Sequence, residues 1–323
     1  MSGFLSAMLG RKASEVQLAE KSEGTTVYDT KPRLQAPPGL HTDPTPGPTT
    51  DEQAVVDYIN QHRQELLADL PAEPESGPQF NADGWLDDTQ ILLYVRANKG
   101  DKERTRARLR STLEWHCTFR PHAITPETVR NECATGKQYV NGYDREGHPL
   151  VYMYSQRQNT KDAQGHLRLI VFTMEQALRS MPSGVTKLTM VIDVSKYSMS
   201  QAVALSTARE FLRILEGHYP ERLNKALVLS PPSYFVMFYR LVAPFIDPVT
   251  KAKIAFVDVD GGRGKTSDDA EAAKPDSVWA RILDYVAPDQ LQYDAGGEWK
   301  FRFEQNSYWP ELERSYQQTS IEN

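Results

Sequence analysis

Short apolar runs alternate with stretches of helical length through the second half of this 323-residue chain. Each run is rich in valine, isoleucine and aromatic residues. The runs are Leu150–Tyr154, Leu188–Val194, Ala226–Leu229 and Lys253–Val257, and the stretches between them are 166–181, 199–217 and 233–245. Strands that alternate with helices form βαβ crossovers, so this pattern predicts an α/β fold with a mostly parallel, buried sheet.

Composition excludes several other classes of protein. Hydrophobic residues make up 39% of the chain and the formal net charge is −6, which is typical of a globular protein and argues against nucleic acid as the main partner. No run approaches the ~18 apolar residues of a membrane-spanning helix. The first ten residues lack the features of a secretory signal. The only cysteines are Cys117 and Cys133, which is too few for a disulfide framework. We therefore expect a soluble, cytoplasmic protein.

The first 49 residues are predicted to be disordered. Six prolines fall between Pro32 and Pro48 with few large apolar residues among them, so this segment buries too little surface to offset its chain entropy. Nearer the start, four apolar residues share one helical face. They are Phe4, Leu5, Met8 and Leu9, and they favour either a frayed terminus or a weak membrane-contacting helix.

A helical module is predicted for residues 50–135. It begins where Thr50 and Gln53 have the spacing of a capping box, and it contains helical patterns at 87–98, 101–118 and 125–134. The α/β domain follows over residues 136–300, with a C-terminal extension at 301–323. The alternating Trp299, Phe301 and Phe303 indicate an added strand or a cover for the domain.

Signatures of catalysis are weak, so the sequence does not favour an enzyme. No G-x-S-x-G nucleophile elbow occurs. The segment Gly261–Ser267 ends like a phosphate-binding loop, but Val259 replaces the required earlier glycine, and a solvent loop is favoured. His116 and His122, with Cys117 between them, lack the spacing of a metal site. We expect no metal and no cofactor.

The segment Tyr234–Ile246 is apolar almost throughout, with Arg240 as its only charged side chain. Pro231-Pro232 precedes it and Asp247-Pro248 follows it, which separates it from its neighbours. Such a helix is either buried on every side or a lid over an apolar cavity. The candidate gate residues are Tyr234, Phe235, Phe238, Tyr239, Leu241, Val242, Phe245 and Ile246.

Lys253 is a charged residue at the beginning of a predicted strand. It is either exposed to solvent or turned inward, and an inward lysine needs an anion because an unpaired buried charge is very costly. Glu221 is a candidate partner, although its position also suits the first turn of a helix.

The segment 219–254 resembles the CRAL-TRIO lipid-binding family, and in particular its fungal-type phosphatidylinositol transfer proteins. The similarity lies in the order Tyr-Pro-Glu-Arg, a strand, a proline, an aromatic helix and then Pro-Phe-x-Asp-Pro-x-Thr-x-x-Lys. It extends over roughly residues 85–300 through Ile91–Asp101, Tyr143–Tyr152, Val191–Ser195 and Pro288–Gly297. The resemblance implies a helical module packed on an α/β lobe, whose sheet floors a lipid pocket closed by the apolar helix.

The resemblance also implies the residues of a phosphatidylinositol headgroup site. The positions that match the family's Glu, Thr and Lys are Glu221, Thr250 and Lys253, whereas Asn98 stands where the family has a phosphate-binding arginine. In phosphatidylcholine-binding members, small hydroxyl residues occupy the positions of Leu188 and Met190. These two side chains therefore indicate either a wall for a more apolar second ligand or ordinary strand packing.

The function implied is phosphatidylinositol-binding lipid transfer or presentation at membranes through a hinged gate helix. The expected partners are a bound lipid, which the resemblance implies is phosphatidylinositol, and a transient membrane surface, and the chain is expected to be a monomer. Two alternatives remain open at this point. One is a carrier of another hydrophobic ligand, such as a sterol, an isoprenoid or a fatty acyl lipid, and the other is a lipid-regulated interaction module.

Overall fold

The computed structural model of the chain describes residues 27–196, 205–257, 259 and 278–319. The described helices are α1 (Thr50–Gln61), α2 (Arg63–Leu67), α3 (Ala82–Trp85), α4 (Asp88–Ala97), α5 (Lys102–Phe119), α6 (Pro126–Cys133), α7 (Ala163–Arg179), α8 (Leu205–His218), α9 (Ser233–Val242), α10 (Pro248–Ala252) and α11 (Gln305–Thr319). The strands are β1 (Gln138–Tyr143), β2 (Pro149–Tyr154), β3 (Leu188–Asp193), β4 (Leu223–Leu229), β5 (Ile254–Val257) and β6 (Val278–Trp279). The apolar residues 4–9 and the glycine-rich loop 261–267 lie outside the described residues.

Helices α1–α6 precede the first strand, as the sequence predicts. The capping box of α1 is one residue earlier than expected, because the Thr49 hydroxyl accepts from the Glu52 N–H and the Glu52 carboxylate accepts from the Thr49 N–H. The inner faces of α1, α2, α4 and α5 share one apolar core, formed mainly by Val56, Ile59, Leu66, Leu86, Ile91, Leu92, Tyr94, Val95, Leu109 and Leu113.

The six strands lie in the order β1-β2-β3-β4-β5-β6. Strands β1 and β2 are antiparallel, and each later pair is parallel. Parallel strands that follow each other in sequence and in space require crossovers that all turn the same way. Because such crossovers are right-handed, α7 to α10 gather on one face of the sheet.

The two faces of the sheet carry different side chains. The strand register places Met190, Ala226 and Ile254 side by side, with Ile192, Val228 and Phe256 in the next row on the same face. The opposite face carries Tyr139, Tyr152 and Tyr154, whose rings stack on one another.

The C-terminal segment covers the tyrosine face. The hydroxyls of Tyr139 and Tyr154 each donate to Gln292 Oε1 at 2.9 Å. Phe301 packs on the ring of Tyr139, and the Tyr308 hydroxyl donates to the Val140 carbonyl at 2.9 Å. The aromatic tail therefore packs on the lobe, and Phe301 forms only an isolated bridge instead of a full strand.

Residues 27–49, called the N-terminal strap below, differ from the expectation of disorder. Asp29 pairs with Phe301 in a parallel bridge, Leu34 is buried in the main core, and the Thr45 N–H donates to the Gly184 carbonyl at 2.9 Å. The Arg96 guanidinium donates to the carbonyls of Pro46 and Gly47. Hydrogen bonds of its backbone are the main contacts that fix the strap on the rest of the chain. Amino-acid composition gives no information about such bonds, so it predicts disorder here.

Candidate functional site

Helix α9 lies over the sheet with an inner and an outer face. It begins at Ser233, directly after Pro231 and Pro232, and the chain continues through a 3-10 turn at Ala243–Phe245 into α10. Proline suits both boundaries because it cannot donate the backbone hydrogen bond that a continuous helix needs. The apolar segment is therefore a short, separately bounded helix.

The inner face of α9 packs on the helix-bearing face of the sheet. Phe235, Val236 and Tyr239 contact a small core cluster that contains Val228 and Phe256. The rings of Tyr239 and Phe256 meet edge to face at 5.5 Å between centroids. Val242 is the buried residue of the helix.

The outer face of α9 carries exposed apolar side chains together with the exposed Arg240. Met237 and Leu241 are 60% and 58% exposed. We call the exposed set the outer apolar patch, and it consists of Tyr234, Met237, Leu241, Phe245 and Val249. Large exposed apolar patches occur at sites where proteins contact partners or membranes. The structure thus overturns the alternative of a helix buried on every side.

The candidate gate segment, residues 234–246, is called the gate region, and two contacts join its end to α8. The Arg209 guanidinium lies 4.2 Å from the centroid of the Phe245 ring, a cation–π contact. The Asp247 N–H donates to Glu216 Oε1 at 3.2 Å. Burial raises the pKa of the Glu216 carboxyl, and the nearby Asp247 carboxylate adds to the increase. These contacts flank Ile246, the last predicted gate residue.

Lys253 and Glu221 form an ion pair. Lys253 Nζ lies 3.8 Å from Glu221 Oε2, and the side chains are only 21% and 28% exposed. Glu221 has a φ of 57°, a left-handed conformation that is uncommon for a residue with a side chain. Lys253 is therefore turned toward an anion and is largely shielded from solvent.

Thr250 lies beside the same charges. Asp247 caps α10, and its Oδ1 accepts from the N–H groups of Val249 and Thr250 at 2.9 and 3.0 Å. Burial opposes ionisation of Asp247, but the hydrogen bonds from Thr250 and Val249 and the charge of Lys253 lower its pKa overall. In this state Thr250 and Lys253 both interact with acidic side chains of the protein itself.

Asn98 has a different local environment. It caps the end of α4, and its Nδ2 donates to the Tyr94 carbonyl of the same helix at 2.8 Å. Within the described residues no hydrogen bond joins Asn98 to Glu221, Thr250 or Lys253. The neighbouring Arg96 is committed to Glu52 and the strap, so it does not supply the missing cation.

The predicted second-ligand residues lie on the sheet face that bears the helices. Met190 shares a register row with Ala226, and Leu188 is two residues earlier on the same strand. Both are buried members of the main core. Their burial agrees with strand packing, and their face is the one that α9 partly covers.

Sequence reasoning did not identify Asp247 and Glu216 as parts of the site. The sequence pattern predicts Asp247 only as the end of the apolar helix. An Asp directly before Pro is also a typical N-cap, and Asp247 caps α10 in the structure. Glu216 comes close to Asp247 only through packing of α8 against the gate region, so no local signal identifies it.

None of the described helices combines the length and the apolar character that crossing a bilayer requires.

A family profile described as CRAL/TRIO domain matches residues 134–297. A CRAL-TRIO domain-containing protein of Schizosaccharomyces pombe is 35% identical over 229 residues, which is 71% of this chain and 20% of that protein. Phosphatidylinositol transfer protein PDR17 of Saccharomyces cerevisiae is 30% identical over 240 residues, which is 71% of this chain and 62% of that protein. The chain thus spans about a fifth of the first relative and less than two thirds of the second. The crystal structure of Sfh5 superposes with a TM-score of 0.55 at 18% identity, covering 68% of this chain and 84% of that one, and supports the fold.

Proposed function

The chain belongs to the CRAL/TRIO family, and from that membership we propose that it binds phosphatidylinositol and transfers or presents it at membranes. The observation that carries the proposal is the shielded ion pair between Glu221, which precedes the apolar gate region in the chain, and Lys253, which follows it. The similarity to a yeast phosphatidylinositol transfer protein supports the choice of lipid.

Extraction of a diacyl lipid requires an apolar chamber. Each methylene moved from hydrocarbon into water costs about 0.8 kcal/mol, so headgroup contacts alone cannot offset the transfer of two acyl chains. The helix-bearing sheet face supplies apolar side chains, among them Ile192, Val228 and Ile254. In our proposal the acyl chains lie over this face, under α9.

The gate opens when its outer surface meets a bilayer. The outer apolar patch loses contact with water on entering the interfacial region, and this gain offsets the separation of Phe235 and Tyr239 from the sheet. The two contacts to α8, through Arg209 and Glu216, hold the closed position in the absence of a membrane. The protein would therefore act from the cytosol and bind membranes transiently.

The headgroup site uses the charges already present. The lipid phosphodiester replaces Glu221 as the partner of Lys253, a charge-assisted contact. The Thr250 hydroxyl, which here interacts with the Asp247 carboxylate, donates to the phosphate instead. Glu221, released from Lys253, accepts hydrogen bonds from inositol hydroxyls. The acidic side chains thus substitute for the ligand while the site is empty.

A second candidate function is transport of a more apolar lipid. Asn98 offers no positive charge, and Leu188 and Met190 offer no hydroxyl to a second phospholipid. A sterol, an isoprenoid or a fatty acyl lipid needs neither group.

The experiment that separates the two is mass spectrometry of the lipid that co-purifies with the full chain from cells. The proposal expects phosphatidylinositol at a substantial molar fraction, and recovery of a neutral lipid alone would favour the second candidate. A variant with Lys253→Ala serves as the matched control, since phosphatidylinositol should be depleted from it while a purely apolar ligand should be retained.

A further inference from the structure

A polar cluster lies at the beginning of strands β2, β3 and β4, and we propose that it binds a divalent metal ion of the zinc type. Its members are Asp144, Glu146 and His148 of the β1–β2 turn, with Thr189 of β3 and Asn224 of β4. The ligand atoms of the first three lie within 4.8 Å of one another.

The turn itself presents the ligands. Asp144 Oδ1 accepts from the N–H groups of Glu146 and His148, both at 2.9 Å, and Gly147 takes a φ of 83° that closes the turn. Since Oδ1 is occupied by the backbone, Oδ2 is the carboxylate oxygen that faces Glu146 and His148. Three donor atoms are thus held on one side of a five-residue turn.

A β-bulge supplies the fourth ligand. Leu188 is paired with Leu223 and Thr189 with Lys225, so Asn224 is the extra residue of β4 at that point. Its amide lies 3.3 Å from Asp144 Oδ2 and 3.4 Å from Glu146 Oε2. A half turn of the amide presents its carbonyl oxygen to the cluster in place of nitrogen.

The spacing of the four groups matches the edges of a coordination shell. His148 Nδ1 is 2.9 Å from Asp144 Oδ2, 3.6 Å from Glu146 Oε2 and 3.1 Å from the Asn224 amide nitrogen. Metal–ligand bonds of about 2.0–2.2 Å in a tetrahedron place neighbouring ligand atoms about 3.3–3.6 Å apart. In the proposal, small shifts of these side chains bring all four groups within bonding reach of one ion.

A bound cation would suit the charge of the cluster. Asp144 and His148 are buried, and in the described part of the chain neither Asp144 nor Glu146 forms an ion pair with a lysine or an arginine. The Thr189 hydroxyl donates to Asp144 Oδ2 but carries no charge. In the proposal, the bound metal compensates the two carboxylates.

The donor set favours zinc in a structural role. Imidazole nitrogen and carboxylate oxygen are ordinary zinc ligands, and four protein ligands leave no open position for substrate. The ion would join the β1–β2 turn to the start of β4. It would also secure the N-terminal strap, because the Asp43 N–H donates to the Glu146 carbonyl at 2.9 Å.

The test is a titration of the purified, metal-free full chain with Zn²⁺, followed by calorimetry and by thermal unfolding. The expected results are one ion per chain and a Tm that rises with Zn²⁺. Glu146→Gln should weaken binding by at least about tenfold. This variant should fold because the Glu146 side chain is 51% exposed. Asn224→Ala should weaken binding as well.

Co²⁺ reports the coordination geometry of the metal site independently of the stability of the folded chain. The visible absorption of bound Co²⁺ should be that of a tetrahedral site and should be lost in Glu146→Gln. Glu127→Gln, in α6, is the matched control and should leave binding unchanged. Absence of stoichiometric Zn²⁺ binding would overturn the proposal, and so would binding that both site variants leave intact.

Discussion

Lys253 Nζ lies 3.8 Å from Glu221 Oε2, so the cation proposed to hold a lipid phosphate is paired with an acidic side chain of the protein itself. Glu221 is in the left-handed region of φ and follows Pro220 in the turn before β4. A charge that is held near an internal anion can exchange that anion for a ligand without being moved into water.

Replacement of this cation tests the headgroup site. Lys253→Ala should lower phosphatidylinositol transfer between liposomes by roughly tenfold or more, because a charge-assisted contact of about 1.5–3 kcal/mol is lost. The measurement is transfer of a fluorescent or radiolabelled lipid. Lys300→Ala, an exposed lysine of the C-terminal segment, should behave like the original chain. Equal transfer by both variants would contradict the headgroup role.

Restoration of a cation at Asn98 tests the family's pattern. Asn98→Arg should strengthen phosphatidylinositol binding by roughly tenfold, since it adds one charged hydrogen-bond donor toward the phosphate. The Asn98 amide now binds only its own helix, so little is lost by the substitution. Binding is measured by competition against a fluorescent lipid, and Asn98→Ala is the control. If the two substitutions have the same effect, Asn98 lies outside the headgroup site.

Charges on the outer apolar patch should prevent membrane contact. The double variant Met237→Glu and Leu241→Glu should lower liposome association and transfer by roughly tenfold, because each carboxylate resists entry into an apolar medium. Its free energy of unfolding should change by less than ~1 kcal/mol, as both side chains are exposed. Leu283→Glu changes an exposed leucine elsewhere and should leave transfer intact. A matching loss in Leu283→Glu would mean that the patch has no special role.

Release of the gate from α8 should speed its opening. Glu216→Ala removes the acceptor of the Asp247 N–H and should increase hydrogen exchange in residues 243–247 by several-fold. Glu216→Gln keeps an amide oxygen at that position and should remain close to the original rate. Glu210→Ala, which removes only a pair with Arg213 on the same helix, is a further control. Unchanged exchange in Glu216→Ala would show that this hydrogen bond does not restrain the gate.

The helical module should lose stability in acid through His116. Burial lowers the pKa of this histidine to about 3, whereas the ordinary value is 6.5, so the unfolded chain takes up a proton that the folded chain does not. The stabilisation is complete above pH 6.5 and is lost as the pH falls toward 3, at up to about 1.4 kcal/mol per pH unit.

Chemical denaturation at pH 7, 6 and 5 measures this dependence. His116→Phe retains a ring for the stack on Phe80, whose centroid lies 4.3 Å away, and should reduce the slope. His62→Phe, at the end of α1, is the comparison. A slope that His116→Phe leaves unchanged would exclude His116 as its source.

The elements that the sequence predicts best are the strands and helices in which buried apolar residues recur at a regular short spacing along the chain. Runs of valine, isoleucine and leucine predict β2 to β5, and the helical patterns at 101–118 and 125–134 predict α5 and α6. The apolar helix α9 is predicted in the same way, from its apolar character and its flanking prolines. The division of this helix into an inner and an outer face is not predicted, because it depends on which parts of the fold pack against the helix.

Features that depend on contacts between residues far apart in the chain could not be predicted from the sequence. The composition of the N-terminal strap predicts disorder. In the structure, however, the carbonyls of Pro46 and Gly47 accept hydrogen bonds from the Arg96 guanidinium, about fifty residues away along the chain. The proposed metal cluster has a local sign in the alternation of Asp144, Glu146 and His148. Its fourth member, Asn224, is reached only through the fold, 76 residues after His148.

The pairing of Asp29 with Phe301 has a practical consequence for anyone who shortens this chain. The family match covers residues 134–297. The C-terminal residues that cover the tyrosine face, such as Phe301, lie beyond the end of that match. The N-terminal strap, which pairs with Phe301 through Asp29, begins about a hundred residues before the start of the match. A fragment cut at those limits would leave the ring of Tyr139 without Phe301 and with bulk water in its place. We expect such a fragment to aggregate on expression, and the shortest well-behaved piece to begin before Asp29 and to end after Tyr308.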